Sequence, residues 1–315
     1  MSSMRALVTG GAGFIGSHLV EHLLDLGATV RVADNLEMGH LGNLDAVRSG
    51  IDFHECDVTH LDRVEALCND IDVVFHFAAN ASVPRSVEEP EKDFSANVIS
   101  TANVLIAARD AGIRRIVLAS SAGVYGQPKE EPITESTPTA PISPYGGSKL
   151  ACEGLCQGYA RAYGYEVVAA RIFNSYGPRQ PRYIIHDFYH KLRQDPTRLE
   201  ILGDGKQVRD FLHVSDTVRA IAHLADVACE YGFDYYNISS GRAVSVVDLA
   251  HIMIEAMELE GVELEFTGKS WVGDAPNWVP SPAKLRATGW EPRLSLEQGV
   301  ADTIQWFDEH AGSKG

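Results

Sequence analysis

Tyr145 and Lys149 stand four residues apart in Tyr145-Gly146-Gly147-Ser148-Lys149, a spacing that puts both side chains on one face of a helix. A tyrosine with its ordinary pKa of about 10 is a poor base near neutrality. A neighbouring ammonium favours the phenolate, and so does a positively charged nicotinamide ring. Such a pair takes and returns a proton without a metal. Alone, Y-x-x-x-K recurs by chance and denotes no more than a helix-surface contact. Here Ser120-Ser121-Ala122-Gly123-Val124-Tyr125-Gly126 follows an apolar strand, Arg115–Ala119. In an open α/β sheet ligands bind off the C-terminal strand ends, so the Ser121 hydroxyl is expected to hold the substrate oxygen that Tyr145 deprotonates.

A second group of residues suits a dinucleotide. Gly10-Gly11-Ala12-Gly13-Phe14-Ile15-Gly16 follows a strand and opens a helix, the context in which a glycine-rich turn cradles a pyrophosphate. The glycines let backbone approach the phosphates, and the first helical turn, with Phe14 and Ile15, offers unpaired N–H groups and partial positive charge. Asp34 ends the second strand, 18 residues after Gly16. A carboxylate there binds both hydroxyls of an adenosine ribose and repels a 2′-phosphate, which favours NAD over NADP. Asn35 is a second expected contact. Asp57-Val58 suits two roles equally: holding the adenine amino group, or capping a helix over Val58–Cys68. The small residues of Phe77-Ala78-Ala79 would let the cofactor's bridge lie against backbone.

These groups need a scaffold, and the pattern supplies one. Short apolar strands are expected at Ala6–Val8, Thr29–Ala33, Ile51–Glu55, Val73–Phe77, Arg115–Ala119 and Val167–Ile172. Between them lie helical stretches, with a stripe through Ile15, Leu19, Leu23 and Leu26 ended by Gly27, then Leu61–Cys68 and Asn97–Ala111. That alternation is an α/β chain with a Rossmann-type, doubly wound parallel sheet. After Phe173 segments rich in Gly, Pro, Arg and Asp interrupt the helices. The expected division is therefore an NAD-binding domain over residues 1–173 and a smaller C-terminal substrate-binding lobe over residues 174–315, with a soft boundary.

The 315 residues carry 27 basic and 43 acidic side chains, a net charge of −16. That excludes a basic face for nucleic acid and argues against docking on anionic membranes. The acidity suits solubility or a salty habitat equally. Cys56, Cys68, Cys152, Cys156 and Cys229 show no disulfide framework, so free thiols in a reducing compartment are expected. Cys152 and Cys156 read as two small buried residues rather than a metal pair. With no signal peptide and no apolar run of spanning length, a cytoplasmic location is expected.

Taken in order, the glycine turn, Asp34, His76-Phe77-Ala78-Ala79, the serine strand, the Tyr–Lys helix, Arg171-Ile172-Phe173-Asn174, Tyr176-Gly177-Pro178-Arg179 and Arg209-Asp210-Phe211 resemble the extended short-chain dehydrogenase/reductase family, in its nucleotide-sugar epimerase/dehydratase branch. The resemblance runs from residue 4 to about 308. It implies Ser121, Tyr145 and Lys149 as the catalytic group. It implies NAD contacts at Gly10, Gly13, Gly16, Asp34, Asn35, Asp57, Val58, Phe77, Ala79, Asn97 and Lys149. It also implies a sugar-nucleotide diphosphate held by Asn174 and Arg209, where an ordinary salt bridge would otherwise explain Arg209. A homodimer through two helices per subunit is a further implication.

Within that branch, 4,6-dehydratases carry Asp-Glu directly after the catalytic hydroxyl residue, and nucleotide-glucuronate decarboxylases usually keep a Glu there. This chain has Ala122-Gly123. Dehydration is thereby disfavoured, and redox at one carbon remains: 4-epimerisation, with UDP-glucose and UDP-galactose as the expected pair. In the implied mechanism Tyr145 removes the 4-hydroxyl proton as C4 gives hydride to NAD, and Ser121 positions the 4-keto oxygen. The sugar turns about its phosphate linkage and hydride returns to its other face. Two positions depart from the family. Trp271-Val272-Gly273-Asp274 replaces Arg-x-Gly-Asp; Asp274 is kept as the expected ribose contact, and the phosphate falls to Arg182 or Arg179, or the nucleotide differs. Trp278 aligns with a position whose bulk restricts the pocket at the sugar's 2-substituent and should exclude N-acetylated sugars; core packing accounts for it equally well. The rival readings are a uronate epimerase, decarboxylase or dehydratase of the same branch, and a non-catalytic NAD sensor on the same fold.

Overall fold

The computed structural model describes residues 4–229, 232–268 and 277–310. The first half alternates as the apolar pattern requires: β1 (Arg5–Thr9), α1 (Phe14–Asp25), β2 (Thr29–Asp34), β3 (Ile51–Glu55), α2 (Leu61–Leu67), β4 (Val73–His76), α3 (Val83–Glu88), α4 (Pro90–Phe94), α5 (Ser100–Asp110), β5 (Arg115–Ser121), α6 (Pro144–Tyr163) and β6 (Glu166–Ile172). A single π-helical turn, Ser95–Ile99, joins α4 to α5. Helix α1 stops where Gly27 takes φ +81°, a left-handed turn that satisfies carbonyls at the helix end. Helix α6 starts at Ser143, whose side chain accepts from Gly146 N, a side-chain cap of the usual kind.

The second half contributes β7 (Asn174–Tyr176), α7 (Ile184–Gln194), β8 (Arg198–Ile201), β9 (Val208–His213), α8 (Val214–Leu224), β10 (Phe233–Ile238), β11 (Ala243–Ser245), α9 (Val246–Ala256), β12 (Glu263–Phe266), β13 (Asn277–Trp278), α10 (Ala283–Arg286) and α11 (Leu296–His310). The main sheet runs β3-β2-β1-β4-β5-β6-β10, and every pairing in it is parallel. Its seventh strand, β10, therefore comes from beyond residue 173: the chain leaves the Rossmann layer after β6 and re-enters it. The order reverses between β1 and β4, and that crevice is where such sheets bind ligands.

Both faces of the sheet are covered, which is why its central strands, as at Ala6–Val8 and Val73–Phe75, read as unbroken apolar runs. One face packs Val30, Val32 and Phe75 with α1 and α8. The other packs Leu7, Val74 and Ile116 with α2, α5 and α6, including Cys152 and Cys156, both buried. Each such Val, Leu or Ile side chain contributes roughly 2 kcal/mol of transfer free energy. The smaller lobe has its own core, in which α7, α9 and α11 close over β8 and β9. Strand β9 pairs with β7, β11 and β13. Among the described residues no helix is long and apolar enough to cross a membrane.

Candidate active site

The glycine turn is built too tightly for side chains. Gly10 has φ +70°, and a Cβ there would lie 2.6 Å from the Ala78 nitrogen. A Cβ on Gly16 would lie 2.1 Å from the Gly10 oxygen. Only hydrogen fits at these points, so backbone forms the wall. Gly13 is the N-cap residue of α1 and has no side chain to satisfy the first turn. Phe14 and Ile15 border the cleft, and as first-turn residues their N–H groups lack intrahelical partners.

The cleft is continuous, about 2320 Å³, and runs along the C-terminal strand ends into the smaller lobe. Gly10, Gly13, Phe14, Ile15, Gly16, Asp34, Asn35, Asp57, Val58, Phe77, Ala78 and Ala79 all border it. Asp34 accepts from Ala12 N at 2.9 Å and Leu36 N at 2.8 Å. Burial raises its pKa, and those two N–H groups oppose the shift. Each carboxylate oxygen keeps lone-pair capacity for a hydroxyl donor. Asn35 closes its own turn by accepting from Glu37 N. Asp57 does not cap helix α2, which begins at Leu61 with His60 in the N-cap position. Its Oδ1 instead accepts from the backbone and hydroxyl of Thr59, at 2.9 and 2.8 Å.

Ser121, Tyr145 and Lys149 converge on one stretch of the cleft wall. Burial raises the pKa of the Tyr145 phenol, and the neighbouring Ser121 side chain opposes that. Ser121 Oγ also accepts from Gly123 N at 3.1 Å. Lys149 does not bond the phenol. Its Nζ donates to the Ala119 carbonyl at 2.9 Å and stands 5.9 Å from the centroid of the Tyr145 ring. Burial pulls the lysine pKa down, and Cys152 and Asp93 oppose that. The lysine is thus a charge tethered to the sheet beside the phenol.

A polar group behind the wall was not signalled by spacing. Asn97 is buried in the π turn; its amide donates to Ser148 Oγ at 2.8 Å and Asp93 Oδ1 at 3.1 Å. Asp93 also accepts from Asn80 at 2.7 Å, and Ser86 Oγ accepts from Tyr145 N at 3.1 Å. Asn97 stands behind the cleft surface, and its Oδ1 has no protein partner. The resemblance implied Asn97 as an NAD contact, but here it lies beneath the cleft wall, not on it; Asp93, Asn80 and Ser86 carried no spacing signal.

At the other end, Asn174 donates to the Asp210 carbonyl at 2.9 Å, and Arg209 donates to the Val208 carbonyl at 2.8 Å. Both border the cleft, as do Arg182 and Trp278. Trp278 pairs with Arg209 between β13 and β9 and meets Phe173 edge to face at 5.9 Å, so packing and wall-forming are both true of it. Arg182 reaches across to the Ala81 carbonyl at 3.0 Å. Arg179 turns to α1, bonding Ser17 Oγ at 3.1 Å and pairing with Glu21, which leaves Arg182 as the better placed of the two for a phosphate. Asp274 and Trp271 lie outside the described residues.

Residues 6–239 match the model of the NAD dependent epimerase/dehydratase family. The chain is 35% identical to a UDP-glucose 4-epimerase of Mycolicibacterium smegmatis over 313 residues, 96% of this chain and 98% of that one. Among solved structures it is similar to Thermus thermophilus UDP-glucose 4-epimerase in complex with NAD, at TM-score 0.86 and 35% identity over 97% of this chain and 99% of the other. It is also similar to the UDP-N-acetylglucosamine 4-epimerase of Methanobrevibacter ruminantium in complex with UDP-N-acetylmuramic acid. That match has TM-score 0.91 and 30% identity over 98% of this chain and all of the other.

Proposed function

The chain belongs to the NAD-dependent epimerase/dehydratase family, and we propose that it is a nucleotide-sugar 4-epimerase whose substrates are UDP-glucose and UDP-galactose. NAD is the cofactor of this family, and the cleft fits it. The turn from Gly10 to Gly16 admits backbone only, α1 presents its N-terminus, and Asp34 ends β2 with oxygens available to a ribose. When bound, the cofactor supplies reversible hydride exchange at the sugar's C4.

The chain's own residues supply the rest. Tyr145 takes the proton of the 4-hydroxyl and later returns it. Ser121 borders the same stretch of the cleft as the phenol and would share the same sugar oxygen. Lys149 contributes fixed positive charge, and Asn174, Arg209 and Arg182 would hold the diphosphate while the sugar turns. One observation carries the choice of epimerisation over dehydration. Position 123 faces the base, since a Cβ there would stand 3.5 Å from Tyr145 Cε1, yet the residue is glycine and its neighbour Ala122 is buried. No carboxylate is available at that point to serve elimination across C5 and C6.

Trp278 supports an unsubstituted 2-hydroxyl, because its indole stands on the cleft wall against Phe173. A homodimer through α5 and α6 is part of the same reading. Phe94 and Ile99 are exposed apolar residues at the start of that helical pair, and Gly154 and Gly158 leave open space on α6; light scattering on the purified chain tests it. The reaction is tested by incubating the enzyme with UDP-, GDP-, CDP- and dTDP-sugars and following products by NMR, in H2O and D2O. The expected result is interconversion of UDP-glucose and UDP-galactose with no deuterium on carbon. Deuterium at C5 or C6 overturns it, as does turnover confined to another sugar.

A further inference from the structure

Three consecutive residues at the end of β5 meet three residues spaced by four along α6. Ser121 and Tyr145 share the cleft wall on either side of Gly123, where a Cβ would stand 3.4 Å from Ser121 Oγ and 3.5 Å from Tyr145 Cε1. The Ala119 carbonyl accepts from Lys149. Ser120 Oγ donates to Glu153 Oε1 at 2.6 Å. Side chains at 145, 149 and 153 lie one above another on one helical stripe. The first two contacts belong to the catalytic group; the third stands behind it, with Glu153 4% exposed.

Glu153 continues past Ser120. Arg171, 3% exposed, donates to it through Nε at 2.9 Å and Nη2 at 2.7 Å, a two-pronged buried ion pair. Arg171 Nη1 donates to the Tyr125 hydroxyl at 2.9 Å, and that hydroxyl donates to Asn237 Oδ1 at 2.7 Å. The guanidinium also lies 3.9 Å from the Tyr235 ring centroid and 4.8 Å from that of Tyr125. One polar chain thus joins α6, β5, β6 and β10 directly beneath the catalytic group.

Two buried charges are a costly way to hold a helix down, since apolar residues of the same volume often do it as well. What a forked ion pair adds is direction, because two parallel bonds fix rotation as well as distance. An apolar stripe alone lets a helix rock or slide by a fraction of an ångström, and misplacement of about 1 Å can cost ~100-fold in rate. We propose that Glu153 and Arg171, acting through Ser120, are the positioning residues that set the rotation and height of α6 so that the Tyr145 phenol stays beside Ser121. This rests on the reading of Tyr145 as the base.

Removing one member of the pair would leave a lone buried charge and endanger folding, so two gentler changes are used. Ser120→Ala cuts the link to β5 and leaves the ion pair intact. The double variant E153Q/R171M removes both charges together. For each, kcat, KM, bound NAD per chain and the pH profile of kcat are measured with UDP-galactose, beside Tyr145→Phe. Ser120→Ala should lower kcat roughly 10-fold and the double variant roughly 100-fold, with KM and NAD content close to the parent's. The acid limb of the profile should move to higher pH, because the phenol moves away from Ser121, whose side chain holds its pKa down. Asp93 on α4, Arg182 and Tyr183 before α7, and Lys149 and Cys152 on α6 also act on the phenol and are unchanged in these variants. Parental kcat and pH profile in both variants would overturn the proposal. So would kcat, KM and NAD content deteriorating together, which is the mark of general loosening. Full activity in Tyr145→Phe sinks the base assignment itself, whereas a dead Tyr145→Phe beside fully active anchor variants sinks only the positioning role.

Discussion

Lys149 donates to the carbonyl of Ala119 at 2.9 Å while standing 5.9 Å from the centre of the Tyr145 ring. The lysine is therefore held by the sheet and stands beside the phenol without bonding it. Burial raises the phenol's pKa in the protein alone; on the proposed reading the positive charge of a bound nicotinamide would bring it down toward neutrality. Tyr145→Phe should lower kcat by ~100- to 10,000-fold and leave NAD bound. Lys149→Met should lower kcat and weaken NAD together. Steady-state rates and cofactor released on denaturation check both; a Tyr145→Phe enzyme lacking NAD would show that the phenol is needed for cofactor binding.

Gly16 is the tightest point of the phosphate turn. A methyl group there would sit 2.1 Å from the Gly10 oxygen, a distance no rotamer relieves because both partners are backbone. Gly16→Ala should abolish NAD retention while the sheet remains folded, since no core side chain is touched. Absorbance of extracted cofactor and far-UV circular dichroism separate the two; an alanine variant purified with a full complement of NAD would contradict the tight turn.

Asp34 accepts two backbone N–H groups and is expected to accept the ribose hydroxyls as well. In Asp34→Asn one acceptor becomes a donor facing an N–H. Losing charged hydrogen bonds of about 1.5–3 kcal/mol each should weaken NAD by roughly 10- to 100-fold. No gain for NADP is expected, because Asn35, Leu36 and Glu37 follow and none offers a cation. Titration calorimetry on cofactor-stripped protein measures both affinities.

What the sequence makes legible is local. The glycine spacing marked the turn whose backbone later proves closed to Cβ atoms, and the alternating segment Ile51–Glu55 coincides with β3. Tyr145 and Lys149 share a face because they are four apart. Partners distant along the chain leave no such trace. Strand β10 has an ordinary strand pattern, and nothing in it says that it will pair with β6 instead of joining the later lobe. Arg179 looks like a phosphate ligand until α1 is seen to hold it through Glu21. Asp93 and Asn80 meet only because α4 folds back under the loop after β4. Spacing encodes faces and turns, whereas these pairings depend on how whole elements pack.

His76 offers a test of stability rather than turnover. It is buried, with Nδ1 2.7 Å from Thr9 Oγ1 and Nε2 3.1 Å from Thr101 Oγ1. Burial, and secondarily the charge of Lys149, pulls its pKa down to about 3 from 6.5. The folded state thus binds this proton more weakly than the unfolded chain. Between pH 6.5 and 3 the unfolded chain carries more protons, so stability rises with pH and is lost as pH falls. The full window corresponds to ~5 kcal/mol. His18, pulled down to about 4 mainly by burial, acts in the same direction. His76→Gln cannot be protonated there but keeps a hydrogen-bonding side chain of similar reach. Urea unfolding at pH 7.5, 6.0 and 5.0 should therefore show the parent ahead at neutral pH and the gap narrowing as pH falls. A gap of constant size across that range would mean that His76 is not held neutral by its surroundings.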